Sequence, residues 1–381
     1  MRIALVSSSI APERIGGSEI YAGMLATALA EHHDVVLYTG ASKGPQGVET
    51  VRLPGLPELP PNAPALRKAA WHAGDQWLHS VHRALKRELR VFRPEVVHSH
   101  HPQGLSAAVF TAVSACGARH AHTVHDANVL CARITMMRDG RFCGGRCLTC
   151  RPQRLIRGNL LARHLHRLIA PSDYFRDMHV RAGVVPPERA ETIRQGAHPG
   201  STRLRVRREG GELVVGYLGT LAVHKGVRTL LHAFRGAPAE WRLRLAGSGP
   251  LERQLVAEAR RDPRLELTGF VSGEGKDAFL NTLDVLVIPS EYEENAPLVA
   301  VEAAVRALPA VVSDRGGLPE TPEAGVFRAG DSQALLEALR RFADSEEELA
   351  NRSRRLDDMT ERFVWSHHVE HVERALAATA R

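Results

Sequence analysis

Across its 381 residues the chain has no run of about 18 apolar side chains, so no segment reads as a membrane-spanning helix. The opening MRIALVSSS is a short apolar strand without the longer hydrophobic stretch of a secretory signal, which points to a cytoplasmic protein. Aromatic residues are only 5% of the chain and no basic stripe interleaves with them, so no nucleic-acid partner is expected. There is no GxGxxG loop, and no acidic residue closes a second strand, so the simplest nicotinamide-binding pattern is missing. Tandem repeats, low-complexity tracts and Asp-x-Asp pairs are also absent. Cysteine is scarce, at five residues, but four of them fall close together, which suits a reducing compartment where thiols stay free for metals.

Hydrophobic residues make up 44% of the chain, enough at this length to bury two ordinary cores. The net charge of +7 favours anionic partners, among them a nucleoside diphosphate or an acidic membrane surface. Residues 2–8 read as a strand, Gly16-Gly17-Ser18-Glu19 opens an amphipathic helix to about residue 31, and residues 34–39 form the next strand. Residues 66–91 have helical spacing, and further strands are expected at 96–100, 120–124 and 168–170. A polar linker at about 199–212 carries Arg203, Arg205, Arg207 and Arg208, and the strand–helix rhythm then restarts at 213–218. Such alternation predicts two doubly wound α/β units with parallel sheets.

Chemistry concentrates between Ser290 and Ser313. Residues 283–289 (LDVLVIP) form an apolar run of the kind found in buried parallel strands, which sets Glu294 at a carboxyl strand end, where ligands of open α/β sheets collect. Glu294 and Glu302 stand eight apart; on a helix, carboxylates so spaced share a face about two turns apart and reach along one elongated ligand. Two glutamates on a helix are otherwise a solvated, charged face. Near the N-terminus, Gly16-Gly17 allows backbone to approach a ligand at a helix start, where free N–H groups favour an anion.

The segment Pro289, Ser290, Glu294, Asn295, Ala296, Pro297, Leu298, Glu302, Ala303, Pro309, followed by Gly316, Gly317, Pro319 and Glu320, resembles the donor-binding segment of retaining GT-B glycosyltransferases of family 4. The likeness extends to GGSEIYAGMLATALA near the N-terminus, to VVGYLGTLAVHKG at 214–226, to Thr123-Val124-His125-Asp126, and to the final segment at 362–378. The resemblance implies an N-terminal acceptor domain over 1–200, with residues 360–381 packing back on it, and a donor domain over 210–359, facing each other across a cleft. By that likeness Glu294 faces the donor sugar, Glu302 the ribose, Lys225 the diphosphate, and His125 hydrogen-bonds the sugar near the reacting carbon. Gly16 and Gly17 would face the diphosphate and acceptor. Thr220 stands where the family carries a second diphosphate-binding Arg, so a nearby Arg, a neutral hydrogen bond or His224 must compensate. Ala307 replaces a common Gly, which reads as a packing change. The implied partners are a nucleotide diphosphate sugar and a hydroxyl acceptor on a glycan, a lipid-linked sugar or a small molecule, with peripheral contact to the inner membrane face and no catalytic divalent metal. A sugar-nucleotide epimerase of the same architecture is the alternative.

Directly after His125 come Cys131, Cys143, Cys147 and Cys150, with Gly144 and Gly145 permitting a tight turn. Four thiolates at this spacing suit a structural zinc ion or an iron–sulfur cluster (4Fe-4S). Cys143-x3-Cys147-x2-Cys150 also matches the radical-SAM cluster signature, which belongs on a barrel of TIM type; a Cys-rich insertion at this place likewise resembles that of a subset of family 4 enzymes. Cys116, alone, reads as a core residue.

Overall fold

The computed structural model describes residues 1–13, 16–60, 63–132, 134–138, 141–144, 147, 150–205 and 212–381. Gly145, Arg207 and Arg208 lie outside the described residues. The chain divides into two units, Met1–Ile193 with Val369–Arg381, and Arg194–His368.

The first unit is built on β1 (Arg2–Ser7), α1 (Gly17–Ala30), β2 (Asp34–Thr39), β3 (Glu49–Arg52), α2 (Ala65–Gly74), α3 (His79–Phe92), β4 (Val96–Ser99), α4 (Ala108–Ser114) and β5 (Arg119–Thr123). A hairpin, β6 (Met137–Arg138) and β7 (Arg141–Phe142), then precedes α5 (Arg151–His164), β8 (Arg167–Ala170), α6 (Asp173–Arg181) and β9 (Ala190–Thr192). Seven strands form one parallel sheet in the order β3-β2-β1-β4-β5-β8-β9. The order reverses between β1 and β4, so their carboxyl ends part and leave a crevice. The sheet is open, which removes the barrel that the radical-SAM reading required.

The second unit repeats the scheme with β10 (Val214–Leu218), α7 (Val227–Arg235), β11 (Arg242–Ala246), α8 (Glu252–Ala259), β12 (Leu265–Gly269), α9 (Gly273–Thr282), β13 (Val285–Ile288), α10 (Leu298–Ala304), β14 (Ala310–Ser313) and β15 (Gly325–Phe327). Its six parallel strands run β12-β11-β10-β13-β14-β15, with the reversal between β10 and β13. The helices α11 (Ser332–Asp344), α12 (Glu346–Asp358) and α13 (Trp365–Ala380) finish the chain. In the first unit, Glu373 pairs with His33 at 3.2 Å, and Thr379 accepts from Arg167 at 2.9 Å.

Central strands are buried along their length because helices cover both faces: β4, β13 and β14 have no exposed residue, and β13 is apolar throughout. The single helix expected over 66–91 is two, interrupted at Asp75, whose buried carboxylate accepts the Gly104 N–H at 2.7 Å and pairs with the fully buried Arg157. Within the linker, Arg205 is not solvated; it is fully buried and donates to the carbonyls of Arg203, Leu280, Leu283 and Arg306. Burial and the neighbouring Arg203 push its pKa down to about 9. Ala307 has φ 52°, a left-handed backbone that glycine adopts without strain, so its departure from the resembled pattern is conformational rather than one of packing.

Candidate active site

In the second unit the chain leaves β10 at Leu218, passes through the exposed Thr220, and makes a 3-10 turn at Val223–Lys225. Gly226 ends that turn at φ 71°, and a Cβ there would lie 1.7 Å from the Pro289 carbonyl oxygen. Only glycine lets the Lys225 loop lie against the end of β13. Across that contact Lys225 Nζ meets Glu294 Oε1 at 2.7 Å and Tyr292 Oη at 2.8 Å. Tyr292 donates to Glu294 Oε2 at 2.7 Å, and the buried Ser290 donates to Oε1 at 2.8 Å. The Lys225 ammonium also stands 4.8 Å from the Tyr292 ring centre.

Glu294 is 7% exposed. Burial raises its pKa, but Lys225, Tyr292 and Ser290 together outweigh burial and hold it below the ordinary value, so the site keeps an ionised carboxylate beside an ammonium. A second close approach fixes the backbone: a Cβ on Gly316 would sit 2.0 Å from the Glu294 carbonyl oxygen, which accepts the Gly317 N–H at 2.8 Å.

Glu294 therefore stands on the loop between β13 and α10, not on a helix, and the shared helical face expected for the two acids does not form. Glu302 is on α10, where Lys276 of α9 pairs with it. Asn295 is buried, while Ala296, Pro297 and Leu298 carry the chain, half-buried, into α10. For His224, one candidate to compensate at Thr220, burial and then Lys225 hold the pKa below the usual histidine value. Ser290 is part of the motif read from sequence, without a role; Tyr292 lies inside the motif but is not named there, and Lys276 carries no signal.

The first unit gathers its polar groups at the carboxyl ends of β1, β4 and β5. His125 follows β5, and its Nε2 lies 3.1 Å from His100 Nδ1, just past β4. The Tyr21 ring from α1 stands edge-on at 5.1 Å from the His125 ring. Asp126 Oδ2 pairs with His101 Nδ1 at 3.2 Å, and its Oδ1 accepts the Asn128 N–H at 2.7 Å. Gly16 caps α1 and Gly17 is its first residue, yet the carboxylate of Glu19 folds over them: a Cβ on Gly16 would meet Glu19 Oε2 at 2.4 Å. Ser9 and Ser18 donate to that carboxylate at 3.1 and 2.8 Å.

A cavity of about 630 Å³ in the second unit lies at the opposite, amino ends of β10–β12, lined by Arg203, Arg242, Arg244 and Arg264. Three of these arginines are neutralised by Asp284, Glu266 and Asp262, so it offers an anion far less charge than its arginine count suggests.

Of the cysteines, Cys131 and Cys150 bring their sulfurs to 3.6 Å, while Cys143 Sγ faces the Met136 carbonyl at 3.1 Å. Cys147 also contacts the Cys150 thiol. All five cysteines are unbridged, and Cys116 is half-buried, packed on the core.

Two family descriptions match the chain: "Glycosyltransferase Family 4" over residues 15–200 and "Glycosyl transferases group 1" over 212–345. The chain belongs to these glycosyltransferases. Glycogen synthase of Mycobacterium tuberculosis is 28% identical over 96% of this chain and 92% of its own length. The 2-deoxystreptamine glucosyltransferase of Streptomyces kanamyceticus is 32% identical over 38% of this chain and 39% of its own. Among solved structures, Anabaena HepE in complex with UDP superposes with a TM-score of 0.74 at 16% identity, over 99% of this chain and all of that one. Sucrose-phosphate synthase of Thermosynechococcus elongatus gives 0.74 at 19% identity, over 99% and 98%. These likenesses establish the GT-B fold for the glycosyltransferase. No helix among its described residues is long and apolar enough to cross a membrane.

Proposed function

We propose that this glycosyltransferase moves a sugar from a nucleoside diphosphate donor to a hydroxyl acceptor with retention of anomeric configuration. The observation that carries the reading is the Lys225–Glu294 ion pair, built by Tyr292 and Ser290 at the strand-order reversal of the second unit. The ammonium is aimed at where charge develops when the diphosphate departs, and such preorganised charge supplies most of the acceleration in reactions of this kind. With donor present, Lys225 divides its hydrogen bonds between Glu294 and the phosphate oxygens. Glu294, fixed at Oε1 and Oε2 and ionised, accepts a hydrogen bond from a donor-sugar hydroxyl. Glu302 receives the ribose by exchanging part of its pairing with Lys276. Backbone groups of Asn295, Ala296, Pro297 and Leu298 line the same loop, and Thr220 contributes a neutral hydroxyl in place of a second cation. By the same reading His125, held by His100 and Tyr21, is assigned to the donor sugar, and Gly16 and Gly17 to the diphosphate and acceptor.

The UDP bound to HepE supports a nucleotide donor for this chain as well. The acceptor is a glycan, a lipid-linked sugar or a small molecule. A peripheral contact with anionic lipid is part of the reading: α5 exposes Leu155 and Ile156 beside Arg151 and Arg154. Thermal shift against a panel of nucleotide sugars identifies the donor, and product analysis with and without acceptor separates transfer from the acceptor-free chemistry of an epimerase. Stabilisation by none of the panel would overturn the donor-site reading.

A further inference from the structure

The cysteines of the segment between β5 and α5 take no part in the transfer described above. Cys131 and Cys150 are both buried, and their sulfurs stand 3.6 Å apart. That separation is far from the roughly 2.05 Å of a disulfide. It agrees with two thiolates on one tetrahedral zinc ion, where Zn–S bonds of about 2.3 Å place the sulfurs about 3.8 Å apart. The third thiol is adjacent: Cys147 contacts the Cys150 sulfur, and the Cys147 carbonyl accepts the N–H groups of Cys150 and Arg151 at 3.0 and 3.2 Å. The Ala132 N–H donates to the Cys150 sulfur, as backbone amides do toward a thiolate whose charge is held in place. Cys143 follows β7 on a short hairpin, its thiol resting on the Met136 carbonyl. Among the described residues no three His, Cys, Asp or Glu side chains stand together as a ligand set, so the Cys147 and Cys143 thiols must both close on the Cys131–Cys150 pair to complete the shell.

We propose that Cys131, Cys147 and Cys150, closed by Cys143, bind one structural zinc ion. Four thiolates leave no open position, so the ion does no chemistry on substrate. Its effect is positional. Cys131 lies six residues past His125, and Cys150 caps α5, whose Gln153 and Arg157 hold Asn128 by its carbonyl and side chain. Zinc would join the two ends of this segment and hold the backbone that follows His125 and Asp126.

The test is elemental analysis of full-length protein purified without chelator, together with thiol titration and the visible spectrum after exchange into cobalt. The expected result is about one zinc per chain, four thiols protected from titration, and the d–d and sulfur-to-metal bands of a tetrahedral cobalt thiolate centre. Cys131→Ser and Cys143→Ser should each lose the metal, while Cys116→Ser keeps it. Because a ligand variant can also fail to fold, the cobalt spectrum of the unaltered protein stands as an independent readout. Iron with acid-labile sulfide, a Cys131–Cys150 disulfide, or four freely titratable thiols with no metal would each overturn the proposal, and none of these results bears on the donor-site reading.

Discussion

Lys225 Nζ and Glu294 Oε1, 69 positions apart in sequence, lie 2.7 Å apart at the carboxyl ends of β10 and β13. The donor contacts proposed above fall on this same pair. Each partner therefore has two duties, holding the other and meeting the donor, and substitutions separate them.

Glu294→Gln keeps the shape of the side chain but removes its charge, and Glu302→Ala removes the proposed ribose contact. A lost hydrogen bond to a charged partner costs on the order of 1.5–3 kcal/mol. Transfer by each variant should fall by roughly 10- to 100-fold in kcat/KM with the circular dichroism spectrum unchanged. Wild-type rates in both variants would remove these acids from the site.

Lys225→Ala should weaken binding of nucleoside diphosphate far more than binding of the nucleoside, because Thr220 stands where a second cation would and leaves Lys225 the larger share of the phosphate charge. Calorimetric titration of the two ligands reads the difference directly. Equal weakening of both would show that the ammonium does not touch phosphate.

Gly226→Ala tests the backbone beneath the pair. The added Cβ would fall 1.7 Å from the Pro289 oxygen, at a φ of 71° where L-residues are strained. Relief requires the Lys225 loop to withdraw from β13, so donor affinity should fall by at least 10-fold together with a drop in Tm. A variant with normal affinity would mean that this close approach does not position Lys225.

Stability should also depend on pH through the buried histidines of the first unit. His100, His120, His122 and His179 are all buried, and burial leads the causes that depress their pKa, for His120 to about 3 against an ordinary 6.5. Below about pH 6.5 the unfolded chain takes up protons that the folded unit refuses, so stability present above that pH is lost as it falls. Each histidine contributes up to about 1.4 kcal/mol per pH unit. Denaturant unfolding at pH 7.5 and 5.5 measures the loss; equal stability at the two values would contradict it.

Much of this organisation is legible in the residues. The apolar runs at 214–218 and 285–288 are buried strands because helices cover both faces, and the glycine at 226 marks a close approach. Short edge strands were not anticipated: ETVR, AET and GVF lack a continuous apolar run because a sheet edge is only part-covered. Glu294 looked helical because eight-residue spacing suits two turns, but Pro297 starts α10 only after it. Its partners Tyr292 and Ser290 lie on its own loop, two and four residues before it, whereas the Lys276 partner of Glu302 and the carbonyls around Arg205 depend on which segments meet in three dimensions, and residue spacing does not encode that.

Retaining transfer is tested most directly by the anomeric configuration of the first product, read by NMR from a donor of known configuration selected by thermal shift. Acceptor-dependent release of nucleoside diphosphate and a glycosidic bond with the donor's own configuration are expected, both lost together in Lys225→Ala. An inverted linkage, or turnover that needs no acceptor, would contradict it.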